Sequence, residues 1–142
     1  MTPTGAETIR LDLPAHVRHL HILSAVIAAL LEPVDELHER ESTIYAIQLA
    51  AHEICANIVE HAYAGRTDGR IAVALALSER PRRIVVELHD SGRPFDPAEA
   101  PEPDLSVPQT SGYGMFLVRN LVDEVDYTPD RAGNRWKLVK YL

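Results

Sequence analysis

The order of elements legible in this sequence predicts an α+β fold, a two-layer α/β sandwich with helices on one face of a mixed, mostly antiparallel sheet. Three observations carry that expectation. An alternating segment, Thr8-Ile9-Arg10-Leu11-Asp12-Leu13, precedes two stretches of helical periodicity; two strand-like runs then follow one another directly; a last helical stretch leads into two more strand-like runs. Strands grouped in pairs suit helices segregated to one face of an antiparallel sheet. They do not suit a parallel doubly wound sheet, in which strands and helices alternate regularly.

Each element has a local reason. Residues 8–13 alternate apolar with polar, as a half-buried strand does. Pro14 suits the first turn of a helix running through Val17, Leu20, Leu23, Ile27 and Leu30 until Pro33 stops it. His16, His19 and His21 do not share one face of it and read as solvated positions, not a metal site. A longer helix reaches from about Asp35 or Ser42 to Tyr63, with no Gly or Pro and with Gly65 placed to cap its end. Asp68-Gly69 makes a turn, and residues 70–77 and 83–89 form a hairpin across Glu79-Arg80-Pro81-Arg82. Pro94, Pro97, Pro101, Pro103 and Pro108 then mark a long loop of the kind that in a small domain is either functional or disordered. Ser111 is placed to cap a helix through about Val122, with Met115, Val118, Leu121 and Val122 facing the core. Residues 125–128 and 135–141 close the sheet as a strand pair around Gly133-Asn134.

A chain of 142 residues, 46% hydrophobic, suits one domain over residues 1–142. Asp and Glu number 21 against 14 Lys and Arg, a net charge of −7, which argues against nucleic acid as a direct partner. The lone cysteine, Cys55, excludes an intrachain disulfide and reads as a small buried hydrophobe on its helix. The first ten residues lack the layout of a signal peptide, and no apolar run reaches membrane-spanning length. The expectation is a soluble, cytoplasmic protein with no membrane partner.

Chemistry concentrates in three strings taken in order. Glu53 and Asn57 lie four residues apart on one helix face, beside the apolar stripe of Ile47, Ala51, Ile54 and Ile58. Asp90-Ser91-Gly92 follows a strand, where a carboxylate can accept a hydrogen bond and a glycine allows close backbone approach. Ser111-Gly112-Tyr113-Gly114 opens a helix, whose free N–H groups and positive dipole end favour phosphate. Each string is weak alone; together and in this order they read as a nucleotide site. His52-Glu53 begins like a zinc-protease motif, but Ala56 stands where the second histidine would be.

The three strings, with Asn57-Ile58-Val59-Glu60-His61-Ala62-Tyr63, Leu121-Val122-Asp123-Glu124-Val125 and the terminal Val139-Lys140-Tyr141-Leu142, resemble the anti-sigma-factor serine/threonine kinases of the GHKL ATPase superfamily. The resemblance covers nearly the whole chain. It implies the Bergerat fold with an ATP lid over about residues 91–111, ATP or ADP with Mg²⁺ as cofactors, and Asn57 as the residue holding Mg²⁺. It further implies Glu53 as general base toward a serine or threonine hydroxyl, and Asp90 as acceptor of the adenine amine. Gly92, Ser111, Gly112, Tyr113, Gly114, Met115 and Asn134 complete the nucleotide contacts by the same resemblance. The implied partners are a sigma factor, a STAS-domain anti-anti-sigma protein as phosphorylation substrate, and a second copy of the chain in a homodimer. Two departures stand out: no Lys or Arg lies between Arg93 and Arg119, and Asn134 follows Gly133 where many relatives have Thr. They support an alternative, a binding module that sequesters a regulator without phosphorylating it. A histidine-kinase catalytic domain fits less well, because about forty residues before the helix of Glu53 leave little room for a phosphoacceptor hairpin.

Overall fold

The period-two patterns form strands and the longer apolar stripes form helices. The computed structural model describes residues 7–94 and 114–142. Strands β1 (Thr8–Pro14), β2 (Arg70–Glu79), β3 (Arg82–Asp90), β4 (Glu124–Asp130) and β5 (Gly133–Tyr141) form one sheet in the order β1-β2-β3-β5-β4. Every neighbouring pair is antiparallel, so the sheet lacks the mixed pairing expected from sequence. The reason is connectivity. The chain re-enters the sheet at its far edge through β4, and a tight turn folds β5 back between β4 and β3, antiparallel to both.

One face of this sheet is covered. Leu13, Ile71, Val73, Leu75, Val86, Leu88, Trp136 and Leu138 meet the buried stripes of α1 (Leu20–Leu31), α2 (Arg40–Asn57) and α3 (Gly114–Leu121) in a single core. Full burial of each such Leu, Ile or Val contributes about 1.5–3 kcal/mol. The buried positions of α2, Ile47, Ala50, Ala51, Ile54 and Cys55, keep helical spacing and leave Glu53 and Asn57 half-buried at the edge of the stripe.

Three boundaries differ from expectation. Pro14 ends β1 instead of opening a helix, which an edge strand tolerates because a missing N–H costs little there. The helix begins with a single 3₁₀ turn, Val17–His19, capped by the His16 ring, whose Nδ1 accepts from Arg18 N–H at 3.2 Å. The second helix is not α-helical to Tyr63: from Ile58 to Ala62 it widens into a π turn, closed by Tyr63 N–H donating to Ile58 O at 3.0 Å. Left-handed Ala64 and Gly65, at φ 48° and 87°, then reverse the chain. Finally, the β4–β5 turn lies at residues 131–132, and Gly133 and Asn134 are the first residues of β5. Gly133 has φ 137°, and a Cβ there would stand 1.9 Å from Asp90 O, so β3 and β5 reach this spacing only with glycine.

Candidate functional site

Sheet register builds the first half of the site. Ile71, Asp90 and Asn134 are cross-strand neighbours on the helix-covered face, so the pleat that buries Ile71 also buries a carboxylate and an amide. Asp90 and Asn134 are each 1% exposed. Buried polar groups need partners, and one oxygen of Asp90 has them. Its Oδ1 accepts from Gly92 N–H and from Asn134 Nδ2, both at 2.8 Å. Its Oδ2 is buried with no hydrogen-bond partner. Burial raises the carboxyl pKa above the ordinary Asp value, partly offset by the hydrogen bonds from Asn134 and Gly92 and by neighbouring His89.

Asn134 holds Asp90 in place. Its Nδ2 also donates to Arg93 O at 2.9 Å and Gly92 O at 3.3 Å, while its Oδ1 accepts from Tyr127 Oη–H at 2.7 Å. Both ends of the amide are committed to fixing Asp90 and the turn after it.

The widened turn after α2 supplies the seat for that loop. Arg93 N–H donates to Ala62 O at 2.8 Å and Arg93 Nε to His61 O at 2.7 Å, so two carbonyls at the helix end are satisfied by one arginine. Gly92 lies so close that a Cβ would stand 2.3 Å from Ala62 O. Buried Tyr63 ties the joint: its hydroxyl donates to Arg70 O at 2.5 Å and accepts from Ser91 N–H at 2.9 Å. Sequence reasoning missed Ala62, Tyr63, Arg93 and Tyr127 as parts of the site. Tyr63 was legible only as one letter of a motif, because its partner Ser91 is 28 residues away.

Glu53 and Asn57 form the second half. The start of α3 lies directly over them: a Cβ on Gly114 would stand 3.0 Å from Glu53 Oε2, 3.8 Å from Asn57 Oδ1 and 3.9 Å from its Nδ2. Glycine there lets the helix start approach both polar side chains. Asn57 and Asp90 share the wall of a cavity of about 10 Å³, lined also by Ile58, His61, Ala62, Asn134 and Trp136; that volume matches one water. Thus the structure brings together Glu53, Asn57, Asp90, Gly92, Gly114 and Asn134. Met115 is buried in the core. Ser111, Gly112, Tyr113 and most of the expected lid lie outside the described residues.

The donor set fits an adenine nucleotide. A buried, partnerless carboxylate oxygen suits an exocyclic amine, a side-chain amide oxygen suits a hard cation, and a helix start suits phosphate. Among the described residues no cluster of three or more His, Cys, Asp or Glu could hold a metal ion.

A family described as the histidine kinase-like ATPase domain matches residues 13–140. The chain is similar to the serine-protein kinase RsbW of Bacillus pumilus, 28% identical over 96% of this chain and 86% of that protein. The serine-protein kinase RsbW of Bacillus thuringiensis is 26% identical over the same shares. Among solved structures, the RsbU and RsbW domains of Rv1364c from Mycobacterium tuberculosis superpose with a TM-score of 0.68 at 23% identity. That match covers 99% of this chain and 33% of the other. The histidine kinase domain of a blue-light activated kinase from Erythrobacter litoralis EL346 gives a TM-score of 0.55 at 18% identity, over 99% of this chain and 66% of the other.

Proposed function

The chain belongs to the histidine kinase-like ATPase domain family, and from that premise we propose that it is an anti-sigma factor and a Mg-ATP-dependent protein serine/threonine kinase. Its substrate is a STAS-domain anti-anti-sigma protein, and its two partners exchange on it. Bound ATP with Mg²⁺ supplies the transferable phosphoryl group. The observation that carries the reading is the buried, partnerless Oδ2 of Asp90, an acceptor held in place by Gly92 and Asn134 and ready for the amine of adenine.

The chain's own residues divide the work. Asp90 selects adenine, because a 6-oxo purine presents an acceptor to an acceptor. Asn57 offers a neutral oxygen to Mg²⁺, which takes few protein ligands and keeps phosphates and water for the rest. Glu53, one turn earlier and beside Gly114, takes the proton of the attacking serine or threonine hydroxyl. Phosphoryl transfer needs mainly positioning and charge stabilisation, which one base, one cation and a helix start provide. The name shared by the Bacillus relatives, serine-protein kinase, supports the kinase assignment; sigma-factor and STAS partners rest on the motif resemblance. Phosphate placed on the STAS protein adds charge at the docking surface and releases it, so the sigma factor is held only once its competitor is modified. A single domain over residues 1–142 and a cytoplasmic location belong to the same proposal. No helix among the described residues is long and apolar enough to cross a membrane.

The test is transfer from radiolabelled ATP to a purified STAS-domain protein, with ADP affinity measured alongside. Wild type is expected to label a serine or threonine in the presence of Mg²⁺. Glu53→Gln is expected to retain ADP binding and sigma-factor capture while losing at least about 100-fold in transfer. Nucleotide binding without transfer to any STAS partner would favour the sequestering module, to which the absence of Lys and Arg between Arg93 and Arg119 points. Failure to bind nucleotide under any condition would refute the kinase reading and leave the sequestering module.

A further inference from the structure

Tyr127 lies on the edge strand β4, and its register partner on β5 is Trp136, a core residue, so the tyrosine points to the helix-covered face. On that face Asn134 is its diagonal neighbour, and Asn134 in turn is the register partner of Asp90 on β3. A tyrosine is long enough to span such a diagonal. The ring lies against that of Trp136, with centroids 4.4 Å apart and planes at 39°, and the hydroxyl donates to Asn134 Oδ1 at 2.7 Å. Trp136 also walls the small cavity beside Asp90 and Asn57, so a residue of the site itself holds the ring that carries this hydroxyl.

The surroundings fix the sense of the Asn134 amide. Asp90 Oδ1, Arg93 O and Gly92 O all accept from Nδ2, at 2.8, 2.9 and 3.3 Å, and a reversed amide would set its oxygen against those acceptors. The amide oxygen is then an acceptor in a side chain only 1% exposed, where a missing donor is costly. Tyr127 supplies that donor. The two bonds run in one direction, from hydroxyl to amide oxygen and from amide N–H to carboxylate. Donation at the first end polarises the amide and strengthens its bond to Asp90 at the second.

On the premise of the adenine-nucleotide site above, we propose that Tyr127 is a positioning residue for base recognition: through Asn134 it keeps Oδ1 of Asp90 occupied and Oδ2 aimed at the 6-amine of the purine. Two donors hold Oδ1, and they are not equivalent. Gly92 N–H belongs to the turn two residues after Asp90 and moves with it. Asn134 is 44 residues away in sequence, on a neighbouring strand, and with Tyr127 behind it ties the carboxylate to the sheet. Loss of the Tyr127 hydroxyl therefore loosens the aim of Oδ2 while the turn keeps its own bonds to Ala62 and Tyr63. Selectivity for an amino purine is what Tyr127 supplies.

The experiment is calorimetric titration of the full chain with ADP and with purine riboside diphosphate, which keeps the ring system, sugar and phosphates but carries hydrogen in place of the 6-amine. Tyr127→Phe retains the ring against Trp136 and removes only the hydroxyl. The variant is expected to bind ADP about 3–10-fold more weakly, the net worth of one hydrogen bond, and purine riboside diphosphate as wild type does, because that ligand has no amine for Oδ2. In an Asn134→Leu background, which has no amide oxygen to serve, Tyr127→Phe is expected to cost nothing further. Equal losses for the two nucleotides would show that the hydroxyl merely supports the structure and would overturn the proposal. Unchanged ADP affinity in Tyr127→Phe, or the full loss repeated without Asn134, would overturn it too. A wild type that binds neither nucleotide would sink the nucleotide site itself, and this role of Tyr127 with it.

Discussion

Replacing Asp90 with Asn keeps the shape of the side chain and reverses the hydrogen-bond sense of one end. The amide orientation is dictated by the surroundings. Gly92 N–H and Asn134 Nδ2 both donate to Oδ1, so the amide oxygen must stay there and the NH₂ must replace the partnerless Oδ2. An adenine amine then loses a hydrogen bond to a charged acceptor, worth about 1.5–3 kcal/mol, which corresponds to about 10–150-fold weaker ADP binding. The NH₂ can donate to a 6-oxo purine, so IDP gains relative to ADP. Stability moves the opposite way. Burial holds the folded pKa of Asp90 above its ordinary 3.8, so between those two values the folded state binds more protons than the unfolded. The group's favourable contribution is therefore present below the unfolded pKa and lost as pH rises through the folded one. At pH 7 wild type carries the cost of a buried carboxylate and the variant does not. The expected Asp90→Asn protein has a higher Tm than wild type at pH 7, with the gap closing as pH falls through the folded pKa. Calorimetric titration with ADP and IDP, beside thermal melts from pH 4 to 7, makes the check. ADP affinity within threefold of wild type, with no relative gain for IDP, would refute the assignment of Oδ2 to the base.

Three further outcomes follow from the same geometry. Gly92→Ala places a methyl 2.3 Å from Ala62 O and is expected to cost about 1–3 kcal/mol, read as a lower urea midpoint with weaker ADP binding; an unchanged midpoint would contradict the close approach. Tyr63→Phe removes the donor to Arg70 O and leaves Ser91 N–H without its acceptor, a loss of about 1–3 kcal/mol in denaturation, accompanied by weaker nucleotide binding because the Asp90 loop loosens. Burial pushes the Cys55 thiol up to about 12, so a thiol reagent at pH 8 should label it only as the chain unfolds; labelling of the native protein within minutes would show that α2 opens locally.

Much of the fold was legible because its elements carry strong local patterns. Alternation in residues 8–13 and the uninterrupted apolar stripe through Ile54 each encode a period that only one kind of element satisfies. The π turn was not legible, because Ile58 to Ala62 differ from a good α-helix in nothing local; they widen where Arg93 N–H and Nε donate to the carbonyls of Ala62 and His61 and Gly92 packs closely against the turn. Gly133 was read as part of a turn for a similar reason. It lies in a strand with a φ of 137°, which L side chains rarely adopt, and a Cβ there would also stand 1.9 Å from Asp90 O, so backbone and packing both require glycine. Asn134 was singled out by its position after that glycine, yet its task became visible only with Tyr127 and Asp90 on either side of it.

The amino-acid order by itself determined the helical face shared by Glu53 and Asn57, the strand that ends at Asp90 and the helix that begins near Gly114, because these follow from backbone periods that act within a few residues. Tertiary structure decided what those groups could do. Sheet register turned Asp90 inward and set Asn134 against one of its oxygens while leaving the other without a partner. The packing of α3 on α2 brought Gly114 over the Glu53–Asn57 pair. Partners such as Tyr63 and Ser91 are remote in the chain, and their distance is settled only when the core closes.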